Sequence, residues 1–372
     1  MELPVAVYRM AFASLRGINA ELATLLLERC GSEREFFELP ARRLADLVGR
    51  ESRIFDADYR QKVLNEAVKE YDFVELNHIK TSYFTDPDYP QRLHEAVDAP
   101  LMLYSIGTAD LNSRAVIGIV GTRHITPYGA DFTRRLVADL KELMTVEPLI
   151  VSGLAFGVDV AAHNAALSQS LPTAAVLAHG LNTIYPAVHR NVAAEMVHNG
   201  GMLLTDYRST DQIHKGNFLA RNRIVAGLCD CLVVVESAEK GGALVTANIA
   251  AGYNRDVFAV PGRTGDRYSA GCNSLIARHI AQLITSAEDL VAAMRWPVRE
   301  RRDEAVQKEL FPVLSPEEQT VVDYLDANGE ASLNKLSVDT AIPIGKLMAV
   351  MIDLEFKNLV IAIPGGRYRP SR

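Results

Sequence analysis

The stretch Ala115-Val-Ile-Gly-Ile-Val120, followed at once by Gly121-Thr122-Arg123-His124, sets the reading of the whole chain. Six residues with no charged or hydrogen-bonding side chain are short for a buried helix and too continuous for a half-exposed strand. They read as a strand covered on both faces. The pattern returns in PLIV (148–151), TAAVLA (173–178), MLLT (202–205), CLVVVE (231–236) and DVFAV (256–260), with amphipathic stretches of helical period between them. That alternation specifies an α/β fold around a parallel sheet with helices on both sides.

Outward from this core the text changes character twice. Residues 1–80 contain no convincing strand; Leu22, Leu25 and Leu26 fall in helical register, Cys30-Gly31-Ser32 stops that helix, and Phe36, Phe37, Leu44 and Leu47 continue the period. Leu15-Arg16-Gly17-Ile18-Asn19 resembles the turn of a helix-hairpin-helix. The expectation is a small all-helical domain over 1–80 and an α/β domain over 81–296. Residues 297–312 hold eight charged side chains in sixteen and read as a solvated linker. Beyond it, Ser315-Pro316-Glu317-Glu318 is a helix start, and two further helical stretches precede IAIPGGRYRP, a two-stranded wing turning at Gly365-Gly366. This order predicts a winged helix-turn-helix over 313–372.

In an open parallel sheet, ligands bind beyond the carboxyl ends of the strands, so the loops at those ends carry the candidate site. Gly121 permits close backbone approach and Arg123 offers a fork of donors matched to phosphate. The second strand ends in Ser152-Gly153-Leu154-Ala155-Phe156-Gly157, and the third in His179-Gly180-Leu181-Asn182, with Tyr185-Pro186 beyond. Between MLLT and CLVVVE lies Lys215-Gly-Asn-Phe218-Leu-Ala-Arg221-Asn222-Arg223, and residues 205–225 carry four cations against two acids. Cations interleaved with an aromatic ring are the composition of a groove that follows a phosphate backbone and stacks bases. Gly241 and Gly242, before a helix, form an anion-ready nest. Each feature has a plain structural reading: glycines serve tight turns, Arg221 and Arg223 a solvated helix face, Phe218 the core. With Pro261-Gly262 after DVFAV, six such loops on one sheet edge favour a phosphate-bearing ligand. His163 and His179 lack a third ligand at metal spacing and read as structural. Cys229 and Cys231 read as core thiols on one face of a strand.

Composition narrows the classes. The 372 residues carry 39 Lys and Arg against 46 Asp and Glu, a net charge of −7, which excludes a histone-like wrapper but not a local basic groove. No stretch reaches the roughly 20 apolar residues of a membrane helix, no signal peptide is evident, and the four cysteines suit a reducing compartment, so the expected location is the cytoplasm.

In order along the chain, VGTRHITPYG (120–129), SGLAFGVD (152–159), GLN with Tyr185-Pro186, FLARNRIVAGL (218–228), GGALVTA (241–247), VFAVPG and SAGCNSLI closely resemble the loop words of the DNA-processing protein A family, also called Smf. The resemblance implies a Rossmann-like domain flanked by an N-terminal helical domain of SAM or helix-hairpin-helix type and a C-terminal winged helix. It implies a non-enzymatic single-stranded DNA-binding protein without cofactor or metal. Such a protein protects incoming strands in natural transformation, loads a RecA-type recombinase and works as a homodimer. The contacts it implies are Arg123, Lys215, Phe218 and Arg221, with Asn222 and Arg223 beside them and Gly121, Ser152, Gly153, Gly241 and Gly242 in the phosphate-facing loops. The chain departs from the family pattern at Phe156, Leu219, Asn182 and His189. A second resemblance, of the Gly-Gly-x-x-x-Thr loop to lysine-decarboxylase-like phosphoribohydrolases, implies an enzyme using Glu236 or Glu239 as its acid. A third reading, with the winged helix as the binding end, meets that segment's 6 cations against 8 acids.

Overall fold

The structure, a computed structural model, describes residues 3–299, 314–364 and 366–371. The chain divides into two compact units, Met1–Arg299 and Glu300–Arg372. The larger begins with helices Val5–Ala13, Ala20–Cys30, Glu33–Glu38, Ala41–Val48 and Ala57–Leu76. Gly17 takes φ 77° in the first turn, and the Asn19 side chain then accepts from Leu22 N at 2.9 Å, capping the second helix. The change of element type near residue 80 is not a change of core. Met10, Phe12 and Val74 of these helices belong to one continuous buried cluster with Tyr83, Met102 and Tyr104 of the sheet. Polar ties reinforce it: Ser209 donates from N and Oγ to Glu70, and Arg208 pairs with Glu66 at 3.1 Å.

Nine strands form the central sheet: β1 Lys80–Tyr83, β2 Met102–Gly107, β3 Val116–Val120, β4 Leu149–Ser152, β5 Thr173–Val176, β6 Met202–Thr205, β7 Cys231–Val234, β8 Asp256–Ala259 and β9 Gln282–Leu283. Their order is β1-β2-β6-β5-β4-β3-β7-β8-β9. From β6 to β9 all neighbours are parallel, whereas β2 runs antiparallel to β6 and β1 antiparallel to β2. The six apolar runs are β3 to β8. The three further strands escape the same reading for distinct reasons: β1 is polar, β2 follows a run of turn residues, and β9 is a two-residue edge. Alternation along the inner strands sorts their side chains to two cores. Ile117, Ile119 and Val233 pack against helices Pro127–Leu143, Val158–Ser168 and Ala287–Met294, while Val116, Val120 and Val234 face Lys215–Leu228 and Gly242–Gly252. Cys229 and Cys231 are both buried, but in different cores. The expectation of a shared face fails because Cys229 lies between a helix and β7, where strand alternation does not apply. The chain leaves β3 toward β4 on one side and pairs it with β7 on the other, so a topological switch falls between these two strands.

The smaller unit has helices Pro316–Asn328, Leu333–Asp339 and Ile344–Phe356 and a three-stranded sheet, β10 Ala331–Ser332, β11 Val360–Ile363 and β12 Arg367–Pro370, with β12 in the middle and antiparallel to both neighbours. Ser315 and Glu318 close a capping box at its first helix, as the sequence of that start predicts. Residues 300–312 of the expected linker and Gly365 of the expected turn lie outside the described residues; Gly366 has φ 66°. On the helix Ile344–Phe356, Ile344, Met348, Ile352 and Phe356 recur every fourth residue and are exposed.

Candidate nucleic-acid interface

The loops after β3, β4, β7 and β8 and the helix Lys215–Leu228 enclose a cleft of about 520 Å³ at the switch point, lined by Gly121, Arg123, Phe218, Asn222, Gly242 and Tyr268 among others. Arg123 is exposed and holds its guanidinium carbon 5.4 Å from the centre of the Phe218 ring. Tyr185, half exposed, meets the same ring edge-on at 5.6 Å. Phe218 is thus held between a cation and a second aromatic at the solvent boundary and is no core residue. Lys215 stands one helical turn earlier, exposed. It opens its helix with a cation at the positive end of the dipole, where an anion would be stabilising. Across the cleft, Gly241 caps the helix Gly242–Gly252 without any side-chain hydrogen bond, leaving that helix start open to an anion.

The structure separates the four cations of 205–225. Arg221 is 4% exposed, lies beneath the cleft and donates from Nη1 to the Val176 carbonyl at 2.8 Å. Gly153 is the reason it fits: a Cβ at that position would overlap the guanidinium. Asp159, also buried, faces it electrostatically; burial pushes the Asp159 carboxyl up and Arg221 draws it back down. Ser152 turns its hydroxyl inward, to the Ile119 carbonyl at 2.6 Å. Arg223 points away from the cleft and pairs with Asp206 at 2.5 Å, with a second bond to the Asp98 carbonyl. Arg208 is held by Asp211 and Glu66. The local charge of +2 read from sequence therefore does not reach the groove as a block, because only Lys215 of the four keeps an exposed, unneutralised head. Helical rotation explains the split: residues 215, 218 and 222 share a face, while 221 and 223 leave it.

Cations not singled out from sequence take their place. In the loop after β8, Arg267 is exposed and sits 5.7 Å over the Tyr268 ring, and Tyr268 stacks near-parallel with His124 at 6.1 Å. The signal was available, since the same cation-and-ring composition that marked 215–223 stands at Arg267-Tyr268. Phe156 is an exposed ring at the rim, 5.0 Å from His189, and Leu219 lines the cleft.

Glu236, 3% exposed, accepts from Thr126 Oγ1 at 2.5 Å and Thr126 N at 2.9 Å, so both its oxygens fasten the start of the helix Pro127–Leu143. His163 Nδ1 lies 2.7 Å from Thr173 Oγ1, and His179 bridges the Gly180 carbonyl and Tyr185 N. Among the described residues no three metal-ligating side chains gather.

Comparison with known proteins identifies the family. Residues 80–295 match the family described as DNA recombination-mediator protein A. Protein Smf of Synechocystis is 31% identical over 97% of this chain and 98% of its own length. The crystal structure of DNA processing protein A from Streptococcus pneumoniae superposes with a TM-score of 0.64 at 31% identity, over 78% of this chain and 98% of that one. DNA processing protein A from Helicobacter pylori, whose structural description concerns its mode of binding single-stranded DNA, gives a TM-score of 0.52 at 30% identity, over 59% of this chain and 97% of that one. A match over more than half the chain, together with a relative aligned nearly end to end, places this chain in the DNA-processing protein A (Smf) family.

Proposed function

We propose that this protein binds single-stranded DNA in the cleft at the β3/β7 switch and acts as a non-catalytic mediator, protecting strands and passing them to a RecA-type recombinase in the cytoplasm. The observation that carries this reading is Phe218 at the solvent boundary with Arg123 over its face and Lys215 one turn away. A ring with an exposed cation on it suits an unstacked base with its phosphate, and the confined groove suits a flexible strand more than a duplex. The enzymatic alternative needs a free acid; Glu236 is committed to Thr126, which leaves that reading only the exposed Glu239 of its two candidates. We read the small unit as a winged helix that contacts protein, because its third helix exposes Ile344, Met348, Ile352 and Phe356 while its cation, Lys346, is paired with Glu317. Working as a homodimer through the sheet domain belongs to the same reading.

Mobility shifts of the full chain on single- and double-stranded DNA at two salt concentrations test it. Single strands are expected to bind preferentially. Arg123→Ala and Lys215→Ala should each weaken binding severalfold and lower the slope of log affinity against log salt by about 0.7 per lost phosphate contact. Unchanged binding in both variants would refute the proposal.

A further inference from the structure

The loop Pro261–Ser269 repeats the construction of the inner site. At the inner site an exposed guanidinium lies 5.4 Å from a ring at the edge of the cleft; in this loop Arg267 lies 5.7 Å from Tyr268 in the same relation. Tyr268 does not belong to one cavity. It forms the wall between the 520 Å³ cleft and a neighbouring groove of about 930 Å³ lined by Tyr128, Pro261, Arg263, Arg267 and Ser269. Arg263 and Arg267 are exposed, and neither has a carboxylate partner among the described residues. The acids on that groove are Asp266, exposed, and Glu236, whose oxygens Thr126 already occupies. The balance at its surface is therefore cationic, beside a stacking pair of His124 and Tyr268 at an interplanar angle of 28°. The loop is held independently of the Tyr268 side chain: Ser237 N donates to the Tyr268 carbonyl at 2.7 Å, and Asn273 holds Gly262 through both amide atoms.

We infer that Tyr268, with Arg267 and Arg263, is a second stacking and phosphate station that takes further nucleotides of the same single strand bound at Arg123 and Phe218. The topology sets the spacing. The loops after β3 and β8, which carry Arg123 and Tyr268, stand two strand intervals apart, about 10 Å, and Phe218 projects from a third element, the helix Lys215–Leu228, so a strand crossing the sheet edge meets Tyr268 with a different nucleotide from the one on Phe218. The station rests on the single-strand reading above and adds a length dependence to it.

Fluorescence anisotropy of the full chain with a dithymidylate, which does not span about 10 Å, and with an oligothymidylate of about 16 nucleotides tests it. Tyr268→Ala is expected to lower affinity for the longer oligomer at least about fivefold more than for the short one, the loss of one base stack in strands that reach it. Tyr268→Phe should retain wild-type affinity, which a role for the hydroxyl would not allow. Arg267→Ala should reduce the salt slope for the longer oligomer by about 0.7 more than for the short one. Equal losses on both lengths, or none on either, would overturn the second station while leaving the inner site standing. Failure of the wild-type chain to bind either oligomer would overturn the inner site and this station together.

Discussion

Gly153 shows how a single hydrogen atom in place of a methyl group can shape a site it does not touch. The space a Cβ would need holds the Arg221 guanidinium, which is buried, bonded to the Val176 carbonyl and placed beside Asp159. Gly153→Ala is expected to destabilise the fold by about 1–3 kcal/mol through overpacking, read as a lower urea midpoint at unchanged slope. The residue types of the site were legible in the sequence: Arg123, Lys215 and Phe218 are where a phosphate-and-stack reading puts them. The fate of Arg221 and Arg223 was not. A guanidinium on a helix reads as solvated until the neighbouring strand supplies a carbonyl, as Val176 does, or a loop supplies a carboxylate, as Asp206 does. Val176 lies 45 residues from Arg221 and Asp206 17 from Arg223, beyond the reach of local helical period.

At the scale of elements, the helix Pro127–Leu143 depends on a strand end for its start. Thr126 caps it from its own side chain to Gly129 N, and Glu236, at the end of β7, holds Thr126 through N and Oγ1. Glu236→Ala leaves those donors without their acceptor, at an expected cost of about 1–3 kcal/mol in chemical denaturation, with single-strand affinity little changed. A catalytic Glu236 would instead lose base release from a nucleotide while the fold stayed intact. Helix starts with local chemistry, such as Ser315-Pro316-Glu317-Glu318, were legible because cap and acceptor lie within four residues. The Thr126 start also needed an acceptor 110 residues away. Among strands, the central apolar ones could be read, while β1, β2 and β9 are defined by pairing with a neighbour more than by their own pattern.

For the whole molecule, stability and pH are linked through the buried layer below the cleft. Burial pushes the His163 imidazole from its ordinary 6.5 down to about 3, and Arg221 and His189 add to the effect. Because the folded-state value lies below the unfolded one, the unfolded chain takes up this proton first. The neutral ring's contribution is therefore complete above about 6.5 and is lost progressively as pH falls towards about 3, at up to ~1.4 kcal/mol per pH unit. Urea titrations between neutral pH and about pH 5 should show a steeper acid loss in the wild type than in His163→Leu. The comparison isolates His163 from Asp159, whose raised carboxyl acts with the opposite sign. The continuous core beneath the N-terminal helices carries a second expectation: deleting residues 1–79 exposes Met102 and Tyr104 on β2, and the urea midpoint of the remaining chain should fall.

By itself, the sequence determined the parallel sheet, the gathering of glycine-bearing loops at one of its edges and the helical and mixed flanking segments, and it supplied the composition on which the proposed ligand rests. Each rests on local period, turn chemistry or composition, which neighbouring residues carry among themselves. Only the tertiary structure decided which cations face the cleft, that Glu236 is spent on a helix start, that Arg267 and Tyr268 line the same cleft, and that the first helices share the sheet's core. Those outcomes turn on contacts between segments tens to more than a hundred residues apart, where burial and pairing reassign side chains whose local sequence looks alike.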